Sequence, residues 1–259
     1  MSASIQSKRD KLPAGKNTLE FGSAFSIPYA NRDQARRGVP DQSDFYFSLD
    51  ENRQVISDGR FQCIFRLPAG WEGKQVFAHF TEAKSAVQVW LNGQEASPMF
   101  DQPGAAEFNL TAFLQPGENH LEVQTHPGTE FHGFLWAVSE IHIREFRITT
   151  TPATGDQAIG WIIAIEAAMR NLGAQLALNH RIETMLFDPW GIPVWIGPLG
   201  VMVSIEAGQE TPAAFSYQVK KVRPWSREDP YLYTLILEMR DADGTLLDLR
   251  SVQVGFSQD

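Results

Sequence analysis

The sequence predicts an all-β chain: an N-terminal antiparallel β-sandwich over residues 1–150, then an immunoglobulin-like β-sandwich over residues 151–259. Three observations predict it. Apolar and polar residues alternate with a period of two in many short runs, as in Val87-Gln88-Val89-Trp90-Leu91. Turn signals separate those runs, and Asn92-Gly93 is the strongest, because both central residues of a type I′ turn need positive φ. A stretch of linker composition, Thr149-Thr150-Thr151-Pro152-Ala153-Thr154-Gly155-Asp156, divides the chain into halves.

In chain order, residues 1–20 are polar, and Asn31 to Asp44, with Arg32, Arg36 and Arg37, reads as a polar loop. Phe45-Tyr46-Phe47-Ser48-Leu49 predicts a short strand and Asp58-Gly59 a turn. Phe61-Gln62-Cys63-Ile64-Phe65 is strand-like, and Cys63 suits a small buried thiol better than a nucleophile. Glu107 and Asn109 alternate with Phe108 and Leu110. Pro116-Gly117-Glu118-Asn119 then turns the chain into Leu121-Glu122-Val123-Gln124. Trp71 and Trp90 read as core or inter-sheet anchors rather than sugar platforms. From Glu140 to Ile148 the apolar positions are 141, 143, 146 and 148, so the alternation slips once and predicts a bulge. Beyond the linker, strands are expected over 161–168, 176–186, 201–205, 214–219, 231–239 and 246–254, with turns at Asp188-Pro189-Trp190-Gly191 and Asp243-Gly244.

Composition narrows the function classes. The length of 259 residues suits two ordinary domains, and 43% apolar residues is the content of a folded chain. A net charge of −9 argues against nucleic acid as a partner, since phosphate binding needs a basic face. No apolar run is long enough to cross a bilayer and the first ten residues hold no secretory h-region, so no membrane partner and a cytoplasmic location are expected. Cys63 is the single cysteine, which leaves no internal disulfide. His126, Glu130 and His132 are spaced His-x₃-Glu-x-His, but Pro127-Gly128 bends the chain between them and the spacing fits no common zinc signature. A solvated loop, no metal and no cofactor are expected there. His79, His120 and His142 fall in strand-like segments and read as satisfied polar residues.

Several linked motifs carry a resemblance. Phe65-Arg66-Leu67-Pro68-Ala69-Gly70-Trp71-Glu72-Gly73-Lys74, Ser85-Ala86-Val87-Gln88-Val89-Trp90-Leu91-Asn92-Gly93, Ala106-Glu107-Phe108-Asn109-Leu110-Thr111 and Pro116-Gly117-Glu118-Asn119 occur in that order. They resemble the sugar-binding domain of family 2 glycoside hydrolases, the β-galactosidases above all, and the resemblance implies a jelly-roll (galactose-binding-like) β-sandwich for residues 1–150. Ser26-Ile27-Pro28-Tyr29-Ala30-Asn31 is similar to the segment by which that family enters its first sandwich. Pro224-Trp225-Ser226-Arg227-Glu228-Asp229-Pro230-Tyr231-Leu232-Tyr233 and Val254-Gly255-Phe256 resemble the end of its second.

The resemblance implies a division of labour. In the family a (β/α)₈ barrel follows the V-G-F sequence and supplies both catalytic carboxylates. Three residues follow Phe256 here, so the expected chain has no catalytic residue and is inactive alone. Glu107 falls in the A-E-F motif and Glu228-Asp229 in a turn, neither a catalytic place. Two loops of the first sandwich face the barrel in the family. They align with Ile56-Ser57-Asp58-Gly59 and with Glu130-Phe131-His132-Gly133-Phe134-Leu135-Trp136, where the substrate-facing groups are altered. Asp58, Arg60, Glu130 and His132 are therefore the candidate polar contacts, and Trp136 the candidate apolar face.

Three readings stay open. The chain is the non-catalytic front of such a hydrolase, partnered by a catalytic barrel domain of the same or another chain. Alternatively it is a free-standing carbohydrate-binding module, or an interaction subunit that uses the barrel-facing surface. A homo-oligomer is compatible with each.

Overall fold

The computed structural model describes residues 19–23, 27–39, 43–83, 87–102, 104–129, 132–154, 159–195, 199–226 and 228–257. Within them the chain is almost entirely β, with every strand pair antiparallel. None of the described helices is long and apolar enough to cross a membrane.

The first sandwich packs two five-stranded sheets. One runs β3 (Gln54–Ser57), β4 (Arg60–Arg66), β10 (Glu118–Gln124), β6 (Gln88–Leu91), β7 (Gln94–Ala96). The other runs β2 (Tyr46–Ser48), β11 (His132–Val138), β5 (Gln75–Ala83), β9 (Gly104–Asn109), β8 (Pro98–Gln102). Period-two alternation turns Cys63, Phe65, Val89, Leu91, Leu121 and Val123 of the first sheet towards Ala78, Phe80, Phe108 and Leu135 of the second. Trp71 closes this core, 1% exposed, and donates its indole N–H to the Asp44 carbonyl at 2.7 Å. Trp90, expected in the core with it, instead lies half-buried on the outward face, because its strand neighbours Val89 and Leu91 take the inward positions.

The predicted turn at Asn92-Gly93 forms, with φ of 53° and 78°. The Asn92 side chain also donates to the Phe113 carbonyl and accepts from His120 N–H, both at 2.9 Å, so the turn fixes the neighbouring connection.

The second sandwich packs a sheet of β1 (Leu19–Ser23), β12 (Ile141–Pro152), β13 (Trp161–Asn171) and β16 (Glu210–Val219) on a sheet of β15 (Leu199–Ile205), β14 (Ala177–Phe187), β17 (Tyr233–Arg240) and β18 (Leu246–Val254). Ile148, Ile163, Ile165, Leu186, Leu235, Leu237 and Phe256 fill the space between them. Here the strand pairing corrects the sequence reading. The expected break at residue 150 falls inside β12, whose residues from Ile141 to Pro152 pair with β13. Chain crossover to the second sandwich therefore occurs between Val138 and Ile141. The Thr149-Thr150-Thr151 run has linker composition, but threonine is also a good strand former. Thr150 is fully buried and donates its hydroxyl to the Gly255 carbonyl at 2.8 Å.

Two further local features matter. The predicted bulge in β12 is present between Ile143 and Glu145, with Arg144 as the extra residue. The expected polar loop after Asn31 contains a helix, α1 (Arg32–Arg37). Asn31 caps it by accepting from Gln34 N–H at 3.0 Å, and Gly38 ends it at φ 65°. Ala35 of this helix docks beside Tyr29, Phe187, Ile236 and Leu249. Buried Glu238 receives both Arg32 and Arg240 there, and although burial pushes its carboxyl up, the two guanidiniums hold it below the usual range.

Candidate functional site

The β3–β4 hairpin carries Asp58 and Arg60 at one end of the first sandwich. Gly59 sits between them at φ 75°, and a Cβ there would meet the Thr125 carbonyl oxygen at 2.6 Å. That close approach lets Thr125 N–H donate to the Gly59 carbonyl at 2.7 Å. Asp58 accepts from Gly128 N–H at 2.9 Å, which fastens the turn 126–129 onto the hairpin. Arg60 bonds Glu122 across the sheet at 2.7 Å, a pair half in solvent and so worth about 0–1 kcal/mol.

His132 opens β11 at the same end. Its Nδ1 lies 3.0 Å from Asp50, which also accepts from Gly133 N–H at 3.1 Å and faces Arg53 at 3.3 Å. Asp50 thus organises the approach to β11, a role no motif of the sequence signals. Glu130 lies outside the described residues. Asp58, Arg60 and His132 are therefore brought to one end of the sandwich, each engaged with the protein's own groups.

Trp136 is placed elsewhere, and here the expectation of an exposed apolar face is corrected. It is 3% exposed, stacked on Phe77 with centroids 5.0 Å apart, with the Arg250 guanidinium 5.6 Å above its ring. The reason is that both faces of β11 are covered: Leu135 and Ala137 point into the first core, while Trp136 and Val138 point at the second sandwich.

This seam between sandwiches holds most of the buried charge. Asp248 accepts from Arg250 at 2.8 and 3.0 Å, from Ile143 N–H at 2.8 Å and from its neighbour Leu249 N–H at 2.8 Å. Arg250 in turn donates to the Ile143 carbonyl at 3.1 Å. The bulge at Arg144 aims that side chain back at Glu107 of the first sandwich, 3.8 Å away, and Glu107 also faces His79 at 3.3 Å. His142 is 1% exposed, and burial pushes its imidazole down to about 4; Arg250 and Arg170 add to the shift, while Asp248 and the Ser139 carbonyl oppose it. Lys74 donates to Ser139 Oγ at 3.4 Å and sits 4.6 Å from the Phe45 ring centroid; burial lowers its pKa against the pull of Asp248. A cleft of about 60 Å³ opens beside Lys74 and Asp248. A small-molecule pocket typically measures ~300–1,000 Å³, so this cleft is far below sugar size.

His126 turns its Nδ1 to the Pro127 carbonyl at 3.0 Å, away from any shared ligand set with His132. Among the described residues no group of three His, Cys, Asp or Glu side chains is placed to hold a metal ion. Cys63 is buried at 3% exposure, which pushes its thiol up to about 11 and leaves it unreactive.

Comparison with known proteins gives one family. Residues 141–256 match the profile of glycosyl hydrolases family 2. The β-galactosidase of Priestia megaterium is 25% identical over 214 residues, 76% of this chain and 20% of that protein. The β-galactosidase of Psychromonas ingrahamii is 27% identical over 213 residues, again 76% of this chain and 20% of that protein. The chain thus spans about a fifth of the length of these curated relatives. A family 2 glycosyl hydrolase of Bacteroides cellulosilyticus superimposes with a TM-score of 0.62 at 18% identity, over 79% of this chain and 31% of the other. A β-glucuronidase of Bacteroides uniformis gives 0.61 at 19% identity, over 93% and 32%. These structural likenesses show the shared fold.

Proposed function

From a chain that resembles part of a family 2 glycosyl hydrolase, we propose that this one is the non-catalytic, jelly-roll plus immunoglobulin-like portion of such an enzyme. It supports hydrolysis of carbohydrate by a (β/α)₈ barrel carried on the same or another chain. The observation that carries this reading is the use made of the buried carboxylates. Glu107, Glu238 and Asp248 each face a guanidinium, at the seam or under the helix dock. A retaining glycosidase instead holds two carboxyl groups ~5 Å apart across an open sugar site. In this reading the end of the first sandwich bearing Asp58, Arg60 and His132 faces the barrel and its substrate.

The test has two arms. The purified chain alone, given aryl galactosides, glucuronides and mannosides, is expected to show no turnover. Placed ahead of the barrel of the Priestia megaterium β-galactosidase, in exchange for the segment it matches, it should support turnover that Asp58→Ala with His132→Ala reduces. Turnover by the chain alone that is lost on changing one of its own carboxylates would overturn the reading. So would a folded chimera that binds no substrate.

A further inference from the structure

Apart from Arg60, the outward face of the sheet β3-β4-β10-β6-β7 is not used by the reading above. Following the register across it, Gln54 lies opposite Gln62, Gln62 opposite Glu122, Glu122 opposite Trp90, and Trp90 opposite Glu95. Opposed residues share a sheet face, and the alternating neighbours Cys63, Leu121 and Val89 point into the core. These five side chains therefore form one outward row that crosses all five strands, ~19 Å long at ~4.8 Å per strand. A second row beside it holds Arg60, Gln124 and Gln88.

The chemistry of the rows is uniform. Apart from the indole, every member ends in a planar amide, carboxylate or guanidinium, groups that present two hydrogen-bonding atoms side by side. Adjacent hydroxyls of a sugar ring pair with such groups. Gln54, Gln88, Glu95 and Gln124 are exposed, while Gln62 and Trp90 are half-buried. The Gln62 amide reaches Gln54 at 3.0 Å and Arg60 reaches Glu122 at 2.7 Å, so the side chains stand in order across the surface. The half-buried indole in the middle of this polar face offers the flat apolar surface that the C–H face of a sugar ring fits. The strand spacing is close to the length of one residue in an extended glycan, so a chain laid across the strands meets a new side chain at each ring. Two carboxylates against one guanidinium disfavour an anionic polymer.

We propose that this face binds an extended neutral glycan, with Trp90 beneath one ring and Gln54, Gln62, Gln88 and Gln124 pairing hydroxyls on either side. The site does not depend on the barrel, and with the Asp58 end of the sandwich it shares only Arg60.

Calorimetry on the full chain with cellohexaose, xylohexaose, mannohexaose and a linear galactohexaose tests it, with polygalacturonate as the anionic control. At least one neutral hexaose is expected to bind. Trp90→Ala should then weaken binding about tenfold, as loss of a ring contact does. The Gln62→Ala, Gln124→Ala double variant should weaken it several-fold, and Asp58→Ala with His132→Ala should leave it unchanged. Circular dichroism and thermal unfolding establish that each variant is folded; if Trp90→Ala is not, Trp90→Phe with the glutamine pair carries the test. The proposal is overturned if the folded wild type binds no neutral hexaose, or if binding survives the row variants. Preference for polygalacturonate, or binding lost only in the Asp58, His132 variant, overturns it equally. Self-association abolished by Trp90→Ala without any sugar effect would mark the face as a contact between copies, and would also overturn it.

Discussion

Acid should weaken this protein through one buried imidazole. His142 stands at the seam, 1% exposed, with its ring 6.5 Å from that of Phe77 and Nδ1 3.1 Å from the Ser139 carbonyl. Burial, the first cause, lowers its pKa from 6.5 to about 4; Arg250 and Arg170 push the same way, Asp248 and Ser139 the other. The unfolded chain therefore takes up a proton near pH 6.5 that the folded chain refuses until about pH 4. Between those values the unfolded state binds more protons, so stability is full above pH 6.5 and falls as the pH drops through the window. The gap corresponds to ~3 kcal/mol in total, and most of it is lost between pH 7 and pH 4.5. Urea unfolding of the wild type and of His142→Asn at both pH values isolates the effect. The asparagine amide can still donate to the Ser139 carbonyl but does not titrate. Other acid-sensitive pairs are common to both proteins, so the wild type should lose about 2–3 kcal/mol more than the variant on acidification. Equal losses in the two proteins would refute the reasoning, and a larger loss in the variant would reverse its sign.

Three more outcomes are expected. Arg250→Met leaves Asp248 buried with only backbone donors, and should cost ~3–5 kcal/mol in denaturant unfolding at pH 7, whereas a cost below ~1 kcal/mol would mean the seam pair is not an obligatory one. Gly59→Ala forces a side chain into positive φ and against the Thr125 carbonyl, so a loss of ~1–3 kcal/mol and faster proteolysis of the 126–129 turn should appear together. Cys63 should react with Ellman's reagent at pH 8 only after urea is added, since its thiol is buried and pushed up to about 11; rapid labelling of the folded protein would contradict the placement.

The all-β character, the Asn92-Gly93 turn, the bulge in β12 and the core role of Trp71 were legible in the sequence, because each depends on a few neighbouring residues. Period-two alternation and turn chemistry are local properties, and they survive folding unchanged. The helix at Arg32–Arg37 was also signalled locally, by Asn31 and Gly38 at its ends. Six residues are too few for a 3.6-residue period to stand out, so the polarity of the segment masked it.

What the sequence alone determined is which residues alternate. Only the tertiary structure decided what lies beyond each face. Trp90 and Trp136 both sit on strands flanked by core residues, and nothing local tells them apart. The second sandwich happens to cover the sheet that holds Trp136 and leaves the sheet that holds Trp90 open. The same event moved β12 into the second sandwich and turned Asp248, Arg250 and His142 into a buried seam. A strand's own pattern records the difference between its two faces. Whether the second face meets water or another layer is set by residues more than a hundred positions away, and by the desolvation of charge that their approach brings.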